Sequence, residues 1–223
     1  MTRTLIVTGS HTDVGKTFVA CRIVERWVED GLTVDVRKPV MSGFDPGRAD
    51  ESDAGRLLRA AGLFPEDPEE LFRLLDEVCP WRFAAPLAPD AAARAEGITL
   101  SLDEIAAFTN KPSNADAVLV ETAGGVMSPL THDSTALDLI ARVRAPTILV
   151  VGAYLGGISH GLTAHMALTQ RGVDVAAVVV NRATADDAEP FRRFLPAARV
   201  LVMGEGVDED DEAVKLLAQL TRT

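Results

Sequence analysis

Gly9-Ser10-His11-Thr12-Asp13-Val14-Gly15-Lys16-Thr17 lies between a short apolar run, Leu5-Ile6-Val7-Thr8, and a stretch with helical periodicity. A glycine-bounded turn that leaves a strand and opens a helix points its backbone N–H groups inward. The helix N-terminus adds positive potential, so such a loop suits phosphate. In this setting Lys16 reaches the β- and γ-phosphates, and the Thr17 hydroxyl ligates Mg²⁺. Five residues separate Gly9 from the Gly15-Lys16-Thr17 triplet, whereas the common form of the loop has about four.

Outward from this loop the chain alternates strands and helices. Residues 17–30 read as a helix, with Val19, Ile23, Val24 and Trp27 on one face and Glu25, Glu29 and Asp30 on the other. Residues 33–37 read as a strand. A helix over 52–61 has Ser52 as its N-cap and Gly62 just past its end. The runs 117–120, 147–151 and 175–180 are almost wholly aliphatic, which suits parallel strands covered on both faces. Residues 159–171 read as a helix closed by Gly172, 199–202 as a last strand, and 211–220 as a closing helix. This pattern predicts a single α/β domain over residues 1–223, a doubly wound, mostly parallel sheet with helices on both faces. Ligands of such sheets bind beyond the carboxyl ends of the strands. Residues 64–89 carry Pro65, Pro68, Pro80, Pro86 and Pro89 and read as a loop-rich excursion. Residues 205–212 hold six acids in eight positions and read as a solvated turn before the last helix.

Composition narrows the partners. With 223 residues, one core is the default. Hydrophobic residues at 47% and charged residues at 25% exclude a disordered chain. A formal charge of −11 disfavours duplex nucleic acid and anionic membrane, while a few local cations still suffice for a phosphate ligand. Cys21 and Cys79 match neither a disulfide framework nor a zinc site. The apolar run at the N-terminus is too short for a signal peptide or membrane span, so a cytoplasmic protein is expected.

Three further residues bear on phosphate chemistry. A carboxylate for Mg²⁺ belongs at the end of a strand beside the loop, where Glu121 directly follows 117–120. Asp53 is a second candidate, or simply a first-turn acid favourable to the helix dipole. Lys38 opens the block Lys38-Pro39-Val40-Met41-Ser42-Gly43 at a strand's carboxyl end. There it either holds an anionic substrate against the γ-phosphate or is an ordinary exposed lysine. Arg37 alternates to the other face and reads as structural or solvated.

Taken in order, seven blocks resemble the dethiobiotin synthetase family. They are the enlarged loop 9–17, Lys38 to Gly43, Ser52-Asp53, Pro80-Trp81-Arg82-Phe83-Ala84-Ala85-Pro86, Val120-Glu121-Thr122-Ala123-Gly124-Gly125, Leu155-Gly156-Gly157-Ile158-Ser159-His160 and Val180-Asn181. The resemblance implies a phosphate-loop nucleotide-binding fold and an ATP- and Mg²⁺-dependent ligase of biotin biosynthesis. It would convert 7,8-diaminopelargonate and CO₂ to dethiobiotin, ADP and phosphate. It further implies that Lys16 and Lys38 flank the transferring phosphoryl group, and that Thr12 and Ser42 hydrogen-bond the carbamate or its amine. Thr17, Asp53 and Glu121 would hold Mg²⁺. The nucleotide would lie along Asp13, Val14, Gly15, Lys16, Thr17 and Phe18, and along Thr122, Ala123 and Gly124, with Asn181 and Arg182 near the base. The substrate carboxylate would sit at a helix N-terminus near Gly156, Gly157 and Ser159, in a homodimer with sites at the interface. This chain departs from the family in having Asp13 for a frequent Glu and Thr122 for a common Gly. It also has Gly204-Glu205-Gly206-Val207 where a proline-containing loop is usual.

The four histidines form no helical ligand pair. His11 needs no chemical role, and His160 reads as a first-turn helix residue. Cys21, Met166 and Leu168 read as helix packing, and Trp81 either walls a substrate chain or packs in the core. The competing readings are a regulatory ATPase switch, a silent nucleotide-binding module and a ligase of a larger acid. The first usually has an extra early lysine in the loop, absent here; the four charged residues Lys16, Lys38, Asp53 and Glu121 argue against the second.

Overall fold

A computed structural model describes residues 3–204 and 211–220. In chain order the elements are β1 (Arg3–Gly9), α1 (Lys16–Glu29), β2 (Val34–Arg37), β3 (Val40–Ser42), a 3₁₀ segment (Pro46–Glu51), α2 (Asp53–Ala60), α3 (Pro68–Val78), β4 (Trp81–Phe83), α4 (Pro89–Ala95) and α5 (Leu102–Thr109). They continue with β5 (Ala117–Glu121), α6 (Ala136–Val143), β6 (Thr147–Gly152), α7 (Gly157–Gln170), β7 (Val175–Asn181), α8 (Ala185–Phe194), β8 (Val200–Met203) and α9 (Asp211–Gln219).

Six strands pair in the order β2-β5-β1-β6-β7-β8, every pair parallel. Their side chains alternate between two cores, as strands buried on both faces must. Leu5, Val7, Leu119, Ile148, Val150 and Val179 join α1, α2, α3 and α9 on one face. Ile6, Val118, Val120, Leu149, Val151 and Val178 join α6, α7 and α8 on the other. The α1 face is the one its periodicity demands: Val19, Ile23, Val24 and Trp27 are fully buried. The Trp27 indole N–H donates to the Ala218 carbonyl at 3.0 Å, tying α1 to α9.

Ser52 caps α2 by accepting from the Gly55 amide at 3.1 Å. The segment 64–89 is not loop-rich. It contains the eleven-residue α3 and strand β4, which pairs in parallel with β3 as a small second sheet. Pro68 and Pro89 occupy the first turns of α3 and α4, where a missing N–H costs nothing, and Asp67 caps α3 through the Glu69 amide at 3.0 Å. A third apolar cluster, with Val40, Phe83, Ala92, Leu100 and Ile105, supports this small sheet. Residues 205–210, which hold most of the acidic run and all of the Gly204-Glu205-Gly206-Val207 segment beyond Gly204, lie outside the described residues, while Asp211 and Glu212 begin α9. No helix among the described residues is long and apolar enough to cross a membrane.

Candidate active site

The strand order decides which residues can meet. Beyond the carboxyl ends of β2, β5 and β1, side by side in the sheet, lie Lys38, Glu121 and the phosphate loop. On the other side of β1, the chain leaving β6 carries residues 152–157, and β7 ends at Asn181.

Gly15 caps α1 in the left-handed region at φ 95°, and a Cβ there would lie 1.9 Å from Asn181 Nδ2. Asn181 in turn donates from Nδ2 to the Val14 carbonyl at 3.0 Å. Only glycine satisfies both constraints. Gly15→Ala is therefore expected to cost about 1–3 kcal/mol in stability. It should also lower nucleotide affinity about tenfold by pushing Asn181 off the loop. Thermal unfolding and calorimetric titration check the two halves. An undiminished affinity would mean that the loop tolerates the side chain.

Lys16 is buried and donates to the His11 carbonyl at 3.1 Å, across its own loop. The Thr17 hydroxyl donates to Glu121 Oε1 at 2.9 Å. Lys38 is also buried, and its ammonium donates to Glu121 Oε1 at 2.5 Å and to Asp53 Oδ2 at 2.7 Å. The reading of Lys38 as an exposed lysine is thus overturned. Asp53 is both the first-turn acid of α2 and a partner of Lys38. Arg37 is buried rather than solvated, bonded to the Thr109 and Lys111 carbonyls.

These charges set one another. Burial alone would lower the Lys38 pKa, but Glu121 and Asp53 outweigh it and hold the ammonium above the usual lysine range. Burial, helped by the neighbouring Lys38 ammonium, pushes Lys16 down to about 8. Burial opposes ionisation of Asp53 too, yet Lys38 takes it down to about 2. Burial raises Glu121, with Lys38 opposing. Its Oε2 is buried and has no hydrogen-bond partner among the described residues. Thr17, Asp53 and Glu121 form a hard-oxygen donor set, and that orphaned oxygen gives it a lone pair to offer, so the residues fit Mg²⁺.

The remaining sequence candidates divide into groups. Thr12 and Asp13 are exposed at the crest of the loop, Asp13 in the left-handed region at φ 61°. Gly125 packs so tightly on the loop that a Cβ would meet the Ser10 carbonyl oxygen at 2.9 Å, which brings Ala123 and Gly124 beside it. Thr122 turns its hydroxyl inward to Thr8 Oγ1 at 2.8 Å. Asn181 Oδ1 is buried and has no hydrogen-bond partner among the described residues, next to the exposed Arg182, while Phe18 is exposed at the start of α1. Ser42 ends β3, and Gly156, Gly157 and Ser159 open α7. No hydrogen bond among the described residues joins these four to the Lys38 cluster. One aromatic cluster beside the loop has no signature in the residue pattern. The His11 ring stacks on Tyr154 at 4.8 Å, and the Tyr154 hydroxyl meets His160 Nδ1 at 2.7 Å.

A parallel sheet with a phosphate loop at its switch point, a buried lysine after it and a strand-end carboxylate beside it define a phosphate-loop nucleotide-binding protein of the α/β class. Solved structures agree at the level of the fold. The MinC:MinD cell division complex of Aquifex aeolicus matches with TM-score 0.57 at 12% identity, covering 99% of this chain and 94% of that one. The hydrogenase maturation factor HypB of Archaeoglobus fulgidus matches with TM-score 0.56 at 15% identity, covering 99% and 90%. A family model described as an AAA domain matches residues 3–215. The ATP-dependent dethiobiotin synthetase BioD of Phenylobacterium zucineum is 47% identical over 196 residues, 86% of this chain and 82% of that protein. Its counterpart in Caulobacter sp. strain K31 is 44% identical and spans 94% of this chain and 91% of its own. The chain belongs to the dethiobiotin synthetase family.

Proposed function

We propose that this chain converts 7,8-diaminopelargonate, CO₂ and ATP to dethiobiotin, ADP and phosphate, with Lys16 and Lys38 on either side of the transferring phosphoryl group. The observation that carries the residue roles is the buried Lys38 ammonium, held beside the phosphate loop by Glu121 and Asp53. One substrate amine captures CO₂ as a carbamate and releases a proton. A carbamate oxygen then attacks the γ-phosphorus and expels ADP. Finally the second amine attacks the carbamate carbon, and phosphate leaves as the ring closes.

Each step spreads or moves negative charge, so fixed cations and exclusion of water are the main levers the protein has. Lys16 supports the phosphates from the loop, and Lys38 meets the carbamate from the neighbouring strand end. Thr12 and Ser42 orient the carbamate and its amine. Thr17, Asp53 and Glu121 hold Mg²⁺, which supplies neutralising charge to the phosphates when bound. Asn181, with one buried acceptor oxygen to spare, contacts the base beside Arg182, and the backbone of residues 13–18 and 122–124 lines the nucleotide. Gly156, Gly157 and Ser159 receive the substrate's distal carboxylate at the N-terminus of α7.

A homodimer completes the site. Leu155 is fully exposed, and Ile158 and Met166 are exposed along α7, which supports an apolar face there for a second copy. The protein works in the cytoplasm. Incubation with 7,8-diaminopelargonate, bicarbonate, Mg²⁺ and ATP should yield dethiobiotin by mass spectrometry, with no product when diamine or nucleotide is omitted. Phosphate release without dethiobiotin would overturn this reading in favour of a nucleotide switch.

A further inference from the structure

The geometry points to Arg37 as the positioning residue for Lys38, which it serves from the opposite face of β2. Arg37 is 1% exposed, an unusual degree of burial for a guanidinium. Its Nη1 donates to the carbonyls of Thr109 at 2.7 Å and Lys111 at 2.8 Å, at the carboxyl end of α5. Its Nη2 donates to Asp35 Oδ2 at 2.6 Å. Helix carboxyl ends carry unsatisfied carbonyls and partial negative charge, so a cation there is bound by both hydrogen bonds and the helix dipole. The planar fork of an arginine reaches two carbonyls and a carboxylate together, which one ammonium on a flexible stem does less well.

The location gives this anchor its consequence. β2 is an edge strand, so its carboxyl end pairs on one side only, with Arg37 opposite Val120 of β5. The next residue is Lys38, whose own amide donates to the Val78 carbonyl at the end of α3 at 3.0 Å. Side chains of consecutive strand residues point to opposite faces. Arg37 therefore clamps the backbone to α5 while Lys38 reaches over the other face to Glu121 and Asp53. A lysine stem has four rotatable bonds, and the register of its ammonium depends on where its Cα is held. Among the described residues no hydrogen bond or ion pair joins Arg37 to the phosphate loop, so it acts through the backbone of residue 38.

This inference rests on the proposed role of Lys38, and a double-mutant cycle separates the two. The variants are Arg37→Met, Arg37→Lys, Lys38→Met and Arg37→Met with Lys38→Met, each assayed for dethiobiotin formation in single turnover and for nucleotide KM at steady state. Arg37→Met is expected to lower the rate about 10- to 30-fold with nucleotide KM within about twofold, because small displacements of a catalytic group cost large factors. Arg37→Lys should recover part of that loss. In the Lys38→Met background, Arg37→Met should change the residual rate less than about twofold, since the group it positions is gone. An equal loss in both backgrounds, or an unchanged rate for Arg37→Met, overturns the positioning role. An unchanged rate for Lys38→Met overturns the Lys38 assignment instead. If Arg37→Met does not fold, Arg37→Lys with and without Lys38→Met makes the same comparison.

Discussion

Lys38→Met is expected to lower kcat for dethiobiotin formation about 10³-fold, or ~4 kcal/mol of transition-state stabilisation, while nucleotide KM stays within about twofold. Methionine nearly matches the stem in length and packs in the same space, so the loss isolates the ammonium. That ammonium is fully buried and answers two carboxylates, so its field is little screened by water. In the proposed reaction, charge developing on a carbamate oxygen would meet Lys38 from the β2 side, while Lys16 approaches from the loop itself. Some stability will also be lost, because removing one partner of a buried pair typically costs about 3–5 kcal/mol. The cost should fall toward or below the low end here. The Asp53 side chain is 39% exposed and can be resolvated, and Thr17 still donates to Glu121. Steady-state kinetics alongside a thermal melt separates the two effects. A kcat within tenfold of the unsubstituted protein would remove Lys38 from the chemistry, and a raised KM with unchanged kcat would make it a ground-state binding group.

How far such a site can be read before any coordinates exist depends on the distance over which each signal acts. The phosphate loop is local: β1, the turn and α1 follow one another, and their residue types announce themselves within about 25 positions. The Thr17–Glu121 contact spans 104 residues, yet it follows from placing a strand-end carboxylate beside the loop. Lys38 is ambiguous in sequence because lysine is usually exposed, and only the packing of α2 and β5 around it makes it otherwise. Arg37 is ambiguous for the same reason, since its acceptors are carbonyls 72 and 74 residues away. The roles proposed for Asn181 and the 156–159 segment rest on family resemblance, because no local residue pattern points to them.

The errors in the fold have equally specific causes. Prolines at 68 and 89 read as loop signals, whereas each starts a helix. The paired strands β3 and β4 have three residues each, too few for alternation to register. Helices α6 and α8 begin with capping boxes closed by Asp138 and Asp187 rather than by the usual Glu or Gln, and α8 carries Pro190 in its interior. Short polar caps of this sort carry a weak signal until the backbone they satisfy is visible.

Glu121→Gln is expected to weaken Mg²⁺-dependent nucleotide binding about 10- to 100-fold, the range found when a metal site loses a well-placed polar group. The amide keeps the shape and can still accept from Thr17 and Lys38 through its oxygen, so the substitution removes charge more than structure. Two consequences should follow together. The site loses half of the carboxylate charge that makes it attractive to a divalent cation. Lys38 keeps only Asp53 as an anionic partner among those it now bonds, so burial weighs more heavily on its ammonium. Removing Mg²⁺ should therefore matter less in the variant than in the parent protein, because the parent has more metal-linked affinity to lose. Calorimetric titration of nucleotide with Mg²⁺ and with excess EDTA measures this difference directly. Diamine binding, which depends on the loop hydroxyls and on α7, should change by less than about threefold. Were diamine affinity to fall further than nucleotide affinity, Glu121 would face the organic substrate, and the hard-oxygen set of Thr17 and Asp53 would need a different third member.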